Sequence, residues 1–477
     1  MLSTRASAVA VAGPALRDES LAFARDGHRA AARVWVEAAS RAGADPHALD
    51  RMPVRWLGRR AVLVRGPLAE RLLADETAVR RGGSLPRALA VGALGRGGTP
   101  GVTEGPDDAS LACRSSALAR ALRAAPARQV ALALDLELDE MESAWRDAGT
   151  GLVHDSASVA FGRVVLRWAG LPQSIWGDDF RCRTLVRAAE ASPASARSAM
   201  SVPDARRARR CRGSWEAWAL EAVLATRSGD VTPRVGSLLD DLAGLRRSDG
   251  AHVAAPEVAS LLLDAVAPVV GSACLAAWTA LALTHHPHWQ ARLRVEHLGP
   301  RRGEARVGHR APTRSTRGTA RTASSTPATP TGPVATAVAL EAQRLFCAAP
   351  LLVVTARRDL DVAGLAVGAG DRVVVDVHAS NHDERRWDDA ESFDPGRFLP
   401  RTGERRAGPR PFDATLDPVQ QQLVTVLLAA TMTRIATMLP DLGPDTGAES
   451  DAEADSWVRT ALGTRPDGIR VDLTGTR

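Results

Sequence analysis

Apolar and polar positions follow three rhythms along this chain, and each predicts a different kind of element. The longest apolar run, residues 256–292 (PEVASLLLDAVAPVVGSACLAAWTALALTHHPHWQAR), keeps helical spacing up to a stop at Thr284–Pro287. It predicts a long central helix through a sizeable core. Helical spacing also governs 17–45, much of 125–250, and the stretch from Gln420 to Leu439. The second rhythm is short Val- and Leu-rich runs between glycine turns. It occupies 54–75 (VRWLGRRAVLVRGPLAERLLAD), where strand gives way to helix, and the pair LLVVTAR and RVVVDVHA beyond residue 350. The third is a loss of rhythm. Across 296–334 apolar residues nearly vanish while Arg, Thr, Pro, Gly and Ser dominate, so no packed core can form there. That segment is expected to be a disordered insertion or the product of a shifted reading frame. The whole, 1–477, is expected to be one domain, mainly α with small β-sheets.

Composition changes this picture little. With 477 residues, 45% of them apolar, the chain can bury a large core. A net charge of +6 and a pI near 9.9 would ordinarily point to nucleic acid. Every basic side chain here is arginine, however, with no lysine and no tyrosine, and the arginines are scattered among acids. Aromatics make up only 4%, leaving few platforms on which bases could stack. No nucleic-acid partner is expected. Five cysteines (Cys113, Cys182, Cys211, Cys274, Cys347) are widely spaced and form no C-x-x-C pair, so neither a disulfide framework nor a zinc site is predicted. The N-terminus is a feeble match to a signal peptide, and no apolar run is expected to span a bilayer. A cytoplasmic protein with no membrane partner is the expectation. His285, His286 and His288 are read as a polar helix end rather than a metal site.

The chemistry-bearing stretch is 339–400, ALEAQRLFCAAPLLVVTARRDLDVAGLAVGAGDRVVVDVHASNHDERRWDDAESFDPGRFLP. It opens with Glu341 and Arg344 at i,i+3, on one helical face. Arg344 presents a planar fork that can take Glu341, and Arg397 can complete a buried triad. The order Glu-x-x-Arg, Arg-x-Asp, Gly, a Val run, Asn-His-Asp, Trp, then Phe-x-Pro-x-Arg-Phe resembles the second half of a cytochrome P-450. Within that superfamily it looks most like the bacterial fatty-acid peroxygenases. The Trp168-Ala169-Gly170-Leu171-Pro172 turn resembles them too.

The resemblance implies the P-450 fold, a haem cofactor, and a monooxygenase or peroxygenase hydroxylating a fatty-acid-like substrate. It also exposes three departures. Where the family carries residues that bond the haem propionates, the expected His falls at Asp108 and the expected basic pair at Leu111 and Ala112. Arg114 could substitute only with a shift of register. Where the peroxygenases carry Arg-Pro on the central helix, this chain has Ala267-Pro268, with Asp264 one turn earlier. A fatty-acid carboxylate buried there would lack its partner, at a cost of several kcal/mol. Where the family carries the haem-thiolate cysteine, this chain has Asp417, and no cysteine follows Cys347. Asp417-Pro418 reads instead as a helix N-cap followed by an N1 proline. No catalytic residue is assigned. Two readings stay open, an impaired haem enzyme of the peroxygenase type and a catalytically silent P-450-fold partner or activator of another enzyme.

Overall fold

A computed structural model describes residues 18–80, 108–190, 202–298, 331–399, 410–438 and 470–472, apart from single positions at 27, 57, 76, 248, 348, 414 and 415. The N-terminal segment weighed as a signal peptide lies outside the described residues, as does 299–330 of the expected insertion.

Two helices, α1 (Ser20–Asp26) and α2 (His28–Ala42), cover a five-stranded sheet. The hairpin β1 (Arg51–Trp56) and β2 (Arg59–Val64) is followed by α3 (Gly66–Ala74), as the 54–75 pattern predicts, and by the short β3 (Val79–Arg80). The strand order is β1-β2-β8-β5-β3, β5 being Leu351–Ala356 and β8 Arg372–Asp376. Val62–Val64 pair in parallel with Val373–Val375, so residues more than three hundred positions apart share one sheet. All five residues of β8 are buried, which is why its centre, Val373–Val375, is apolar on both faces. Between β5 and β8 lies a hairpin, β6 (Leu360–Val362) and β7 (Leu365–Val367), turned by Ala363 and Gly364 at positive φ.

The helical body holds the main core. Its helices are α4 (Asp108–Ala124), α5 (Ala127–Ala148), α6 (Val153–Trp168), the short α7 (Gln173–Trp176), α8 (Asp179–Glu190), α9 (Val202–Ser228) and α10 (Leu238–Ala243). Between α5 and α6, β4 (Thr150–Leu152) pairs with β9 (Arg470–Asp472). The predicted central helix is realised as α11 (Ala255–Val270) and α12 (Ala273–His285), joined by a turn at Gly271–Ser272 three residues after Pro268. A proline inside a helix has no N–H for the carbonyl four residues back and crowds it, so Pro268 leaves the Asp264 carbonyl without its helical donor. By length and composition, Ala255–His285 could cross a membrane, contrary to the expectation that no run reaches that length. Yet 78% of its most apolar window is buried inside the protein, which marks it as a core element. His286 closes α12 and α13 (Pro287–Leu298) follows.

The residues bounding the insertion are structured. Glu296 of α13 accepts the backbone N–H groups of Val334 and Ala335 at 2.8 and 2.9 Å. Its carboxylate thereby satisfies free donors at the start of α14 (Pro333–Phe346). The chain closes with α15 (Val377–Asn381) and α16 (Pro418–Met438), the latter packed on α5, α11, α12, α13 and α14.

Candidate functional site

Three clusters of polar side chains bear on the predicted chemistry. The first surrounds Arg344. Its Nε and one terminal nitrogen donate to the two oxygens of Glu341, each at 2.8 Å. The remaining N–H groups reach the carbonyls of Asn381 (2.8 Å), Ala390 (2.7 Å) and Ser392 (3.0 Å). All five donors of a guanidinium are therefore used, and both side chains are fully buried. Arg397 Nε lies 3.5 Å from Glu341 Oε1. That is an ionic contact, while the terminal nitrogens of Arg397 donate to the carbonyls of Asp388 and Asp389. The Trp387 ring stacks on Arg344 with its centroid 5.4 Å from the guanidinium carbon. The triad thus pins 381–397 to α14. Asn381 extends the tie, exchanging two hydrogen bonds with the backbone of Phe412 (2.9 and 2.8 Å).

The second cluster is at the start of α16. Asp417 Oδ1 accepts the N–H of Val419 at 2.9 Å, and Gln420 Oε1 accepts the N–H of Asp417 at 2.8 Å. This is a reciprocal capping box with proline at the first helical position. Asp417 Oδ2 accepts from the Ser115 hydroxyl of α4 at 2.5 Å. Gln420, 1% exposed, also donates through Nε2 to the carbonyls of Ala265 (2.8 Å) and Asp264 (3.2 Å) on α11. The pattern Asp-Pro-x-Gln was a readable signal for the box; nothing in the sequence located the carbonyls opposite.

The third cluster lies along α11. Ala267 and Pro268 are half-buried, with Ala267 packed against the main core. Asp264 stands 3.5 Å from Arg212 of α9, which also holds Glu216 at 2.9 Å. Nothing local in the sequence shows this approach, since it depends on how α9 crosses α11. Arg114, beside Ser115, keeps its Nε buried with no hydrogen-bond partner among the described residues. Cys347 ends α14 at φ 39° and is 4% exposed, in the small core with Val354 and Val373. Burial, with His288 and His285 nearby, pushes His286 down to about 4. Among the described residues no group of three or more His, Cys, Asp or Glu could hold a metal ion.

This architecture is shared with solved structures. Cytochrome P450SP alpha in complex with (R)-ibuprophen superposes with a TM-score of 0.64 at 22% identity, covering 88% of this chain and 90% of that one. Cytochrome P450EX alpha with myristic acid gives 0.63 at 20% identity, covering 87% and 88%. These likenesses establish the fold. The sequence profile of the family Cytochrome P450 matches residues 266–412, the span from Val266 of α11 to Phe412. Over that span the chain is similar to the cytochromes P450, and as a whole it shares their fold.

Among curated cytochromes P450, 734A5 of Oryza sativa subsp. japonica is 32% identical over 141 residues, 29% of this chain and 23% of its own length. The steroid 17-alpha-hydroxylase/17,20 lyase of Gallus gallus is 28% identical over 135 residues, 28% and 23% respectively. The match thus spans under a quarter of those relatives. The P450 superfamily implies haem. Asp417, where the resemblance would place the sulfur ligand, does not fit a thiolate-held haem: both its oxygens already accept protein hydrogen bonds, and Gln420 beside it bonds to α11.

Proposed function

We propose that this chain is a P450-like protein of the haem monooxygenase/peroxygenase class, related to enzymes that hydroxylate fatty-acid-like substrates, with its oxygen-insertion chemistry impaired. One observation carries the reading: Asp417, at the position the resemblance assigns to the haem ligand, uses its two carboxylate oxygens as a helix cap and as the acceptor of Ser115. A carboxylate is a harder, weaker donor than a thiolate, so the push that favours O–O cleavage is lost. Ala267 offers no charge to a substrate carboxylate, and Arg212 is already shared by Asp264 and Glu216. The (R)-ibuprophen and myristic acid of the P450SP alpha and P450EX alpha structures both carry a carboxylate, which supports an acyl-type ligand. Arg114, with its unpartnered Nε, supports an anion near α4.

A second reading, a catalytically silent P450-fold partner or activator of another enzyme, is supported by the engagement of both Asp417 oxygens inside the protein. A cytoplasmic location fits either reading. The test is an absorption spectrum after haem supplementation, taken reduced with and without carbon monoxide, together with an assay for hydroxylated fatty acid in the presence of peroxide. Haem binding without a thiolate-type Soret band and without product supports the first reading. No bound haem supports the second. A thiolate-type band overturns both.

A further inference from the structure

Large apolar side chains that stand singly in water are ordinary on a protein surface, whereas a cluster of them is not. Ten such residues are well exposed among the described residues, and six of them stand one to an element or loop. The other four share one face. Leu132 and Leu136 are 64% and 63% exposed on α5, and Val295 and Leu298 are 71% and 73% exposed on α13. Their spacings, i,i+4 and i,i+3, make each pair a ridge along its helix. The ridges lie away from the buried sides of the two helices, which carry Val130, Leu134 and Leu138 on α5 and Trp289 and Leu293 on α13. Both helices pack on α16, and Asp135 lies within electrostatic reach of Arg434 on α16 and of His297 on α13. The two ridges are therefore neighbours.

Their charges are opposite. From Leu132 to Glu140, α5 carries Asp135, Glu137, Asp139 and Glu140 and no basic residue. The exposed side of α13 carries His288, Arg292 and His297. Its one acid, Glu296, is engaged by the N–H groups of Val334 and Ala335. An acidic ridge beside a basic one is complementary to its own copy turned through 180°, because each acidic row then meets a basic row. An anionic membrane or a nucleic acid would be repelled by α5, and a purely basic partner by α13.

We propose that the α5–α13 face docks a second copy of this chain, in a two-fold dimer that lays α5 of one protomer on α13 of its partner. Leu132, Leu136, Val295 and Leu298 form the apolar centre, and the charged rows fix the register. At 1.5 Å per residue, the rows 132–140 and 288–298 extend about 12 and 15 Å. Such a contact belongs to the small end of specific interfaces, so the dimer dissociates on dilution.

Sedimentation velocity of the full chain over a hundred-fold range of concentration tests this. Wild type is expected to pass from monomer to dimer. Leu132→Glu with Leu136→Glu, and separately Val295→Glu with Leu298→Glu, are each expected to weaken the dimer about ten-fold or more. The two pairs sit on different helices, so a variant that fails to fold leaves the other to decide. Asp135→Arg alone and Arg292→Glu alone are expected to weaken it, and the two together to recover most of the loss. Val235→Glu, at an exposed site elsewhere, is expected to change nothing. Wild type that stays monomeric throughout overturns the proposal. Should a chain trimmed of 301–328 then dimerise, the occupant of the face is the chain's own segment. A dimer indifferent to the α5 variants or to the α13 variants also overturns it, as does a double reversal weaker than both single ones.

Discussion

Arg344 donates to both oxygens of Glu341 at 2.8 Å, and neither side chain meets solvent. Breaking a buried pair by removing one partner leaves the other charge uncompensated, which typically costs about 3–5 kcal/mol. Glu341→Gln is expected to lose stability of that order. Arg344→Lys is expected to lose nearly as much, because an ammonium offers three donors where five acceptors wait. Urea denaturation reads both, as a lower midpoint at constant slope. A change under about 1 kcal/mol would show that 381–397 is held by packing alone.

The cap on α16 gives a smaller, more local effect. Asp417→Ala is expected to cost about 0.5–2 kcal/mol, the usual range for losing an N-cap carboxylate. Part of that loss belongs to the Ser115 contact at 2.5 Å. Ser115→Ala in the Asp417→Ala background should therefore add less than it does in wild type, and a double-mutant cycle on thermal melts measures the difference. Strict additivity would dismiss the hydroxyl contact.

A buried and a half-buried group oppose each other in the acid range. Burial pushes the Asp376 carboxyl up to about 6, against the pull of the Ala379 N–H, the Trp35 indole and the Arg65 charge. The folded chain thus holds that proton more tightly than the unfolded chain, and this group's contribution to stability falls as pH rises through about 6. His286, pushed down to about 4, does the reverse. The unfolded chain takes up the proton first, so stability falls as pH drops from 6.5 toward 4. Either slope is at most about 1.4 kcal/mol per pH unit, and with opposite signs the two largely cancel in wild type. Relative to wild type, His286→Gln should gain stability on acidification and Asp376→Asn should lose it. Melting curves between pH 4 and 7.5 check this; parallel shifts of the same sign in both variants would contradict the assignment.

At the start of α14, a β-carbon on Gly332 would fall between 2.1 and 2.4 Å from the Glu296 carboxylate. Gly332→Ala must therefore displace the group that caps α14. It and Glu296→Ala are each expected to cost about 1 kcal/mol. The double variant should be little worse than either single one, since both remove the same two hydrogen bonds. Chemical denaturation of the three proteins decides the point.

The sequence carried the architecture where one residue type has one physical use. The Glu341 and Arg344 spacing, the strands around 351–376 and the stop before Pro287 all follow from local rules of helix face, β-propensity and backbone geometry. The meeting of Glu341, Arg344 and Arg397 could be anticipated because buried charges of opposite sign must find one another. The contacts made by Gln420, Ser115, Arg212 and Glu296 could not, since each depends on how two helices cross. A glutamine at the third position of a helix reads as part of a cap, and nothing local says that its other end faces a carbonyl left by a proline some 150 residues earlier. The ordered edges of the 296–334 segment were hidden for a related reason: composition sees the polarity of Glu296 but not the helix start it serves.

That last contact alters what chain length means here. With Glu296 bonded to the N–H groups of Val334 and Ala335, the two ends of the intervening stretch are stapled together whatever lies between them. The entropy of closing such a loop grows only with the logarithm of its length, about 0.6 kcal/mol per doubling. The gap between α13 and α14 is thus a port: sequence can be spliced in, trimmed or exchanged there while the helices on either side keep their register.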